Sequence, residues 1–140
     1  MMLSELKYEE LKEGADLPVV KKGPITRQQL VDYASASGDY NKLHYDESFA
    51  KNAGLEGCIA HGMLIMALVG SYVRNWARGR TIQKLGVQFR GMTKEGDQVL
   101  LYGRIEKKYR EKDENLIEVS LVSKTQEEVV TTTGSAIIAF

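Results

Sequence analysis

Asp39 and His44 stand five residues apart in a polar stretch of the chain. The stretch reads Ser37-Gly38-Asp39-Tyr40-Asn41-Lys42-Leu43-His44. An odd spacing sends two side chains to opposite faces of a strand, whereas a loop can turn both toward one point. Histidine titrates near neutral pH and aspartate is ionised there, so the pair can share a water molecule or divide proton donation and abstraction. The stretch predicts an acid–base pair, and two unrelated solvated residues are the alternative.

A second chemical group is predicted where Ala60-His61-Gly62 leads into a strongly apolar run. The first N–H groups of a helix have no intrahelical partner, and the helix dipole favours negative charge at that end. Gly62 has no side chain to block a substrate carbonyl, so its N–H is the predicted donor to an enolate-like oxyanion. A glycine kept small for close helix packing is the alternative. His61 is predicted to be a structural residue near the start of the helix.

Two helices are predicted to flank the loop that carries the acid–base pair. Thr26 and Gln29 fit a capping box that starts the first helix, and Gly38 can take the left-handed conformation that ends it. Asp46 is a good N-cap for a second, short helix that Gly54 closes. Residues 39–45 are therefore predicted to form a connecting loop between two helices.

A third helix is predicted to begin near Gly62 and to run toward Trp76. Its first turns, Met63-Leu64-Ile65-Met66-Ala67-Leu68-Val69, are apolar on every face. Because such a helix is typical of a buried position, it is expected to be covered all round, which one sheet alone does not achieve.

Beyond Gly79 the apolar residues alternate with polar ones, which predicts strands with one buried face. The four predicted strands are marked by Leu85-Val87-Phe89, Val99-Leu101-Gly103-Ile105, Ile117-Val119-Leu121 and the segment from Val129 to Phe140. A polar turn precedes each of the last three strands. These turns are Glu95-Gly96-Asp97, Asp113-Glu114-Asn115 and Gln126-Glu127-Glu128. Short turns require antiparallel pairing. The predicted fold is α+β, with helices first and an antiparallel meander after them.

The composition limits the kinds of partner. A chain of 140 residues fits one domain, residues 1–140, and its 19 basic and 19 acidic side chains cancel. The balance gives no general attraction to nucleic acid or to an anionic membrane. The single cysteine, Cys58, cannot form an internal disulfide, and residues 1–6 lack the pattern of a secretory signal. A cytoplasmic protein that does not span a membrane is expected.

The two chemical segments together resemble the MaoC-like dehydratases, the family of (R)-specific enoyl-CoA hydratases that is also called hydratase 2. The family signature is a tyrosine or phenylalanine, a small spacer, then Gly-Asp-x-Asn-Pro-aliphatic-His and a trailing alanine or serine. This chain matches it with Tyr33, Gly38, Asp39, Asn41 and His44, followed by Ala50. A second family feature, His-Gly-Met at the head of the central helix, is matched by His61-Gly62-Met63. The resemblance extends from about Thr26 to the closing strands.

The resemblance implies the hot-dog fold, in which an antiparallel sheet wraps a long central helix and two subunits join their sheets side by side. It also implies reversible syn addition of water to a trans-2-enoyl thioester, giving the (R)-3-hydroxyacyl thioester. Asp39 and His44 would hold the water and Gly62 N–H the thioester oxygen, with Asn41 and His61 supporting the site. The substrate would be a thioester of CoA or of acyl carrier protein, handled without cofactor or metal by a homodimer or higher homo-oligomer.

One residue departs from the signature, because Lys42 stands where the family has proline. Proline would stiffen the turn that carries the aspartate and the histidine. Since the acid and base are kept, we expect a change in loop rigidity rather than loss of activity.

Weaker candidates for substrate contacts are basic residues on strand ends, since phosphate favours charge-assisted bonds. They are Arg90 and Lys94, and further along the chain Lys107, Lys108 and Arg110. Met63, Met66 and Tyr72 are candidates to line an acyl tunnel, with a plain core role as the alternative.

Three other functions compete with hydration. A non-catalytic acyl-thioester binding subunit would bind without turnover, and retention of Asp39 and His44 disfavours it. A hot-dog thioesterase would release free thiol, and the central helix offers only Met, Leu, Ile and Ala where an added acid would stand. A metal enzyme using Asp39, His44 and His61 lacks chelating spacing.

Overall fold

The computed structural model describes residues 5–140. The sequence expectation for the very start of the chain therefore falls partly on residues 1–4, outside the described part. The α-helices are α1 (Arg27–Ser37), α2 (Glu47–Asn52) and α3 (Gly62–Trp76). Single 3-10 turns cover Tyr8–Glu10 and Lys42–His44. The strands are β1 (Val20–Lys22), β2 (Thr81–Phe89), β3 (Val99–Glu111), β4 (Glu114–Thr125) and β5 (Val130–Ala139).

The two helices that flank the loop begin and end where the sequence predicts. The Thr26 side chain accepts a hydrogen bond from Gln29 N–H at 3.1 Å, and Gly38 ends α1 in the left-handed conformation with φ 75°. Asp46 accepts from Phe49 N–H at 3.1 Å and so caps α2. Residues 39–45 form the connecting loop, and the 3-10 turn inside it is a feature that the sequence pattern did not predict.

The strands form one antiparallel sheet in the order β1-β3-β4-β5-β2. The predicted meander is correct for β3, β4 and β5, but wrong for β2, which pairs with β5 and places Phe89 opposite Thr132. The segment after β2 therefore crosses to the far side of the sheet instead of making a hairpin. Strand β1 was also missed, because three residues carry too little alternation to show a strand.

Helix α3 packs against the face of the sheet formed by β2, β4 and β5. Leu64, Ile65, Val69 and Val73 are buried in this contact. The expectation that α3 is covered all round is wrong for the single chain, since Met63 is 56% exposed. Apolar residues lie on every side of the first turns, but the sheet covers only one side.

An antiparallel sheet wrapped on one long helix is the predicted α+β hot-dog fold. Among residues 5–140, none of the helices has the length and apolar character needed to cross a bilayer. The segment 59–61, just before α3, runs beside the loop 39–45, with Ile59 N–H bonded to Leu43 carbonyl at 3.2 Å. The fold thus brings the predicted acid–base loop to the N-terminal end of α3.

Candidate active site

Asp39 and His44, near the two ends of the loop 39–45, lie side by side. Asp39 Oδ2 is 3.7 Å from His44 Nε2. This separation is longer than a direct hydrogen bond, yet short enough for both atoms to contact one water oxygen. The His44 side chain is 11% exposed and the Asp39 side chain 51%, so the pair has a protein wall on one side and access from solvent on the other.

The other nitrogen of the His44 ring sets its tautomer. His44 Nδ1 is 2.8 Å from the backbone carbonyl oxygen of Ile59. A carbonyl can only accept, so Nδ1 carries the proton and donates it. In the neutral ring the lone pair is then on Nε2, which faces Asp39. The fold therefore presents His44 as a base at the atom that faces the carboxylate.

Asp39 is fixed by hydrogen bonds within its own loop. Its Oδ1 accepts from Asn41 N–H at 3.2 Å, and its N–H donates to Ser37 Oγ at 3.2 Å. Asn41 Oδ1 in turn accepts from Leu43 N–H at 3.1 Å and starts the 3-10 turn. These side-chain turns occupy one carboxylate oxygen and leave Oδ2 to face His44. Asn41 thus supports the loop through both its backbone and its side chain.

His61 lies beneath the pair and is 2% exposed. Its ring stacks on the His44 ring with centroids 3.7 Å apart and an interplanar angle of 22°. Its Nε2 is 3.3 Å from the Asp39 backbone carbonyl oxygen. Burial lowers the pKa of His61, and the neighbouring His44 ring lowers it further while the bond to Asp39 opposes the shift. His61 is therefore held as the neutral ring.

Gly62 is the first residue of α3, so its N–H belongs to the group that lacks an intrahelical partner. A Cβ at this position would meet ring atoms of Phe89 at 3.1–3.3 Å. The packing explanation for the glycine is therefore supported, because Phe89 approaches it closely. Phe89 is itself 53% exposed, so the ring lies over the helix start from the solvent side.

Lys42 occupies the first position of the 3-10 turn, where the family signature has proline. The preceding residue, Asn41, has φ −61° and ψ 122°, which is an extended conformation that a following proline allows. The Lys42 ammonium lies 5.9 Å from the centre of the Phe49 ring. The backbone at this point has the form that proline favours, although the side chain differs.

Asp39, His44 and His61 have the residue types of metal ligands and lie close together. Asp39, His44 and His61 each offer one ligand atom within 4.8 Å of the others. The imidazole rings are stacked, so their in-plane lone pairs run alongside each other rather than converge on one point. His44 Nδ1 and His61 Nε2 are also engaged with backbone carbonyls. The geometry fits proton transfer better than tetrahedral coordination.

The basic candidates differ in their distance from the pair. Lys94 pairs through a β-bridge with Ile59, the residue that holds His44, and its ammonium is 3.0 Å from Glu56. Arg90 donates to Thr133 Oγ1 at 3.1 Å, just beyond the end of β2. The remaining three, Lys107, Lys108 and Arg110, lie at the opposite end of β3, beside the first residues of β4. Their predicted role at a substrate entrance remains a prediction.

The tunnel candidates also lie in different surroundings. Met63 is exposed beside Gly62, and Met66 is half-buried one turn further along α3. Tyr72 is buried and donates to the Pro18 carbonyl at 2.7 Å. It lines a cavity of about 690 Å³ on the C-terminal half of α3, together with Trp76 and Val20.

Sequence reasoning missed several contributors to the site. The Ile59 carbonyl holds His44, but a backbone acceptor has no signal in residue type. Phe89 was predicted on the buried face of a strand, but it is 53% exposed, and its contact with Gly62 depends on how β2 packs back along α3. Tyr33 belongs to the family signature without a predicted contact, and its ring packs on His61 with centroids 4.9 Å apart.

The chain is similar in sequence to one protein family and to several known proteins. The sequence matches the MaoC like domain family over residues 11–129. It is 29% identical over 93 residues to the mitochondrial 3-hydroxyacyl-[acyl-carrier-protein] dehydratase of Arabidopsis thaliana, covering 61% of this chain and 56% of that protein. It is 38% identical over 77 residues to the fatty acid synthase subunit beta of Gibberella zeae, covering 53% of this chain and 4% of that subunit. The chain thus spans about half of one relative and a small part of the other.

Solved structures show the same fold. The R-hydratase PhaJ1 of Pseudomonas aeruginosa superposes with TM-score 0.85 at 25% identity, covering 94% of this chain and 83% of that one. The (R)-hydratase of A. caviae, described as involved in PHA biosynthesis, gives TM-score 0.82 at 23% identity, with 93% and 97% covered.

Proposed function

The chain belongs to the MaoC-like dehydratase family, and on that premise we propose that it interconverts trans-2-enoyl thioesters and (R)-3-hydroxyacyl thioesters. The observation that carries the proposal is the facing of Asp39 Oδ2 and His44 Nε2 at 3.7 Å. Both atoms are hydrogen-bond acceptors when Asp39 is ionised and His44 is neutral. Two acceptors at this separation suit one water that donates both of its protons.

In the hydration direction the oxygen of the held water adds to C3 of the enoyl thioester. The electron pair of the double bond moves toward C2 and the thioester oxygen, and one proton of the water passes to the acid–base pair. C2 then receives a proton from the pair, so that water is added overall and the residues return to their starting state. Dehydration follows the same steps in reverse.

The developing negative charge on the thioester oxygen needs a donor, and Gly62 N–H is the group we assign to it. It lies at the start of the 15-residue helix α3, where the dipole favours negative charge. His61 immediately precedes Gly62 in the chain and stacks on His44, which ties the helix start to the acid–base pair. Asn41 and His61 are assigned as supporting residues.

The test follows loss of enoyl-thioester absorbance with crotonyl-CoA and a series of longer enoyl-CoA substrates. We expect Asp39→Asn and His44→Gln to lower kcat by about 10²–10⁴-fold while both proteins stay folded. The matched control is Asp32→Asn, the same change at an exposed site on α1 where the carboxylate accepts from Gln28. Near-normal turnover by either folded site variant would remove the pair from the mechanism.

The same experiment separates the rival functions. Release of free thiol in place of hydration would identify a thioesterase. Binding of enoyl-CoA without turnover at any chain length would identify a non-catalytic binding subunit. Parallel assays with enoyl-acyl carrier protein decide between the two carriers, and loss of affinity in Arg90→Ala or Lys94→Ala would show that these residues contact the carrier.

We further propose that residues 1–140 act as one domain and assemble as a homodimer or higher homo-oligomer. Met63 and Phe89 are 56% and 53% exposed, beside Gly62, and apolar residues so placed favour burial by a second chain. Strand β2, which carries Phe89, lies at an edge of the sheet. Light scattering after gel filtration measures the mass, and a monomer at assay concentration would contradict the assembly.

A further inference from the structure

The ring of His61 touches both residues of the proposed acid–base pair, through two different kinds of contact. One is the face-to-face stacking on His44, with centroids 3.7 Å apart. The other is the 3.3 Å contact between His61 Nε2 and the Asp39 backbone carbonyl. Because a carbonyl only accepts, Nε2 carries the proton and donates to Asp39. One side chain therefore contacts both Asp39 and His44.

The loop needs such a contact more at Asp39 than at His44. The segment before α3 holds the His44 end by two bonds, Ile59 N–H to Leu43 carbonyl at 3.2 Å and His44 Nδ1–H to Ile59 carbonyl at 2.8 Å. Asp39 is bonded to Ser37 and Asn41, which are its own neighbours in the chain. Among residues 5–140, His61 provides the only hydrogen bond between Asp39 and a distant segment of the chain.

His61 is itself firmly placed. It is 2% exposed, and Tyr33 of α1 packs on its ring with centroids 4.9 Å apart. Its backbone carbonyl accepts from Leu64 and Ile65 at 3.1 and 3.3 Å, in the first turn of α3. A ring fixed at the start of α3 is suited to hold the loop in register with Gly62, the next residue.

We propose that His61 is a positioning residue, whose ring and Nε2–H together hold Asp39 and His44 at a fixed place relative to the N-terminus of α3. The proposal rests on the proposed function, since it explains how the acid–base pair is kept aligned with the oxyanion donor. The two contacts differ in weight. The N–H holds the Asp39 end of the loop, which makes no other hydrogen bond to a distant segment among residues 5–140, and the ring adds support to a His44 side chain that Ile59 already holds.

The neutral state of His61 fits this role. Burial lowers its pKa, so the ring remains neutral when His44 takes up a proton during turnover. A second positive charge 3.7 Å from the first would oppose that proton transfer. A neutral stacked ring supports His44 in either protonation state.

Two substitutions separate the contacts. His61→Phe keeps a flat ring for stacking and removes the donor to Asp39, whereas His61→Gln keeps an N–H at a similar reach and removes the ring. The control is Thr93→Val, since Thr93 is 2% exposed and its carbonyl binds Ala60 N–H directly before His61. This control changes a buried side chain in the same neighbourhood without touching either catalytic candidate.

We expect His61→Phe to lower kcat by about 10²-fold with KM little changed, because misplacement of a reacting group acts on the chemical step. His61→Gln should recover about tenfold of that loss, as it restores the bond to Asp39. Thr93→Val should retain wild-type kcat. Equal losses in both His61 variants, or normal kcat in His61→Phe, would overturn the positioning role.

Amide hydrogen exchange tests the same inference without relying on activity. In His61→Phe the amides of Asn41, Leu43 and His44 should exchange about tenfold faster, while those of β4 are unchanged. Uniformly faster exchange across the fold would show a general structural role instead. If the wild-type protein hydrates no enoyl thioester, the proposed function fails, and the exchange pattern still decides whether His61 holds the loop.

Discussion

Lys42→Pro tests whether the loop of this chain keeps the backbone of its family despite the departure from the signature. Lys42 is the first residue of a 3-10 turn, where helical φ suits proline and the N–H has no intrahelical partner to lose. Asn41, with ψ 122°, already has the extended form required before proline. The substitution should therefore reduce the entropy of the unfolded chain without straining the folded one.

Two opposing effects set the magnitude. A proline at a compatible position stabilises by about 0.4–1 kcal/mol. The lost contact between the Lys42 ammonium and the half-exposed Phe49 ring, at 5.9 Å, costs about 0.5 kcal/mol at most, since it is at the outer limit of a cation–π interaction. The net change for Lys42→Pro is thus between about zero and 1 kcal/mol of added stability.

Lys42→Ala is the matched control, because it loses the same cation and keeps an ordinary backbone. Urea denaturation of both variants should show the proline protein more stable than the alanine protein by about 0.4–1 kcal/mol, or about 1–4 °C in Tm. Turnover of Lys42→Pro should equal or exceed that of the wild type. A proline variant less stable than the alanine variant by 1 kcal/mol or more would refute the stated geometry at position 42.

Three further outcomes are expected. Gly62→Ala should keep the fold and lower kcat/KM by about tenfold, because the added Cβ lies 3.1 Å from the Phe89 ring and narrows the approach of a thioester oxygen to Gly62 N–H; unchanged kinetics would show that no substrate atom approaches Gly62 and would contradict the oxyanion assignment. Burial raises the pKa of Tyr72 to about 12, so folding favours the neutral phenol, and the free energy of unfolding should fall as pH rises from 10 through 12. In pH-dependent denaturation, Tyr72→Phe should lack this fall in stability. Ser123→Ala should lower the free energy of unfolding by about 1–3 kcal/mol, since Ser123 Oγ is 2.7 Å and 2.5 Å from the hydroxyls of Thr131 and Thr132 in a buried cluster. Urea denaturation measures the change, and Ser120→Ala, at a more exposed position of the same strand, is the comparison.

Local features of the fold could be predicted from the sequence because short-range chemistry determines them. Thr26, Gly38 and Asp46 set the bounds of two helices through caps and a left-handed residue, and all three act as predicted. Alternation of apolar residues located the long strands. The pairing of β2 with β5 could not be predicted, because alternation indicates which face of a strand is buried and not which strand lies beside it.

The same distinction applies to the candidate site. The sequence alone predicts that Asp39 and His44 lie in one loop, since both stand between two recognisable helix ends. The tautomer of His44 was not, because it depends on the Ile59 carbonyl, which is 15 positions away and is brought near only by the fold. An acid–base hypothesis from sequence therefore names the groups, and the structure assigns the atom on each that faces the other.

The role predicted for His61 from the sequence differs from the role that its contacts indicate in the structure. In the sequence it is one position before a helix start, and a structural role near the cap is the natural prediction. In the structure its side chain makes no capping bond to α3, and it turns instead to the loop, where it stacks on His44 and binds Asp39. Because Gly62 follows it directly, any shift of His61 moves the proposed oxyanion donor and the acid–base pair together. The short distance along the chain from His61 to Gly62 thus couples two groups that the sequence separates by 18 to 23 positions.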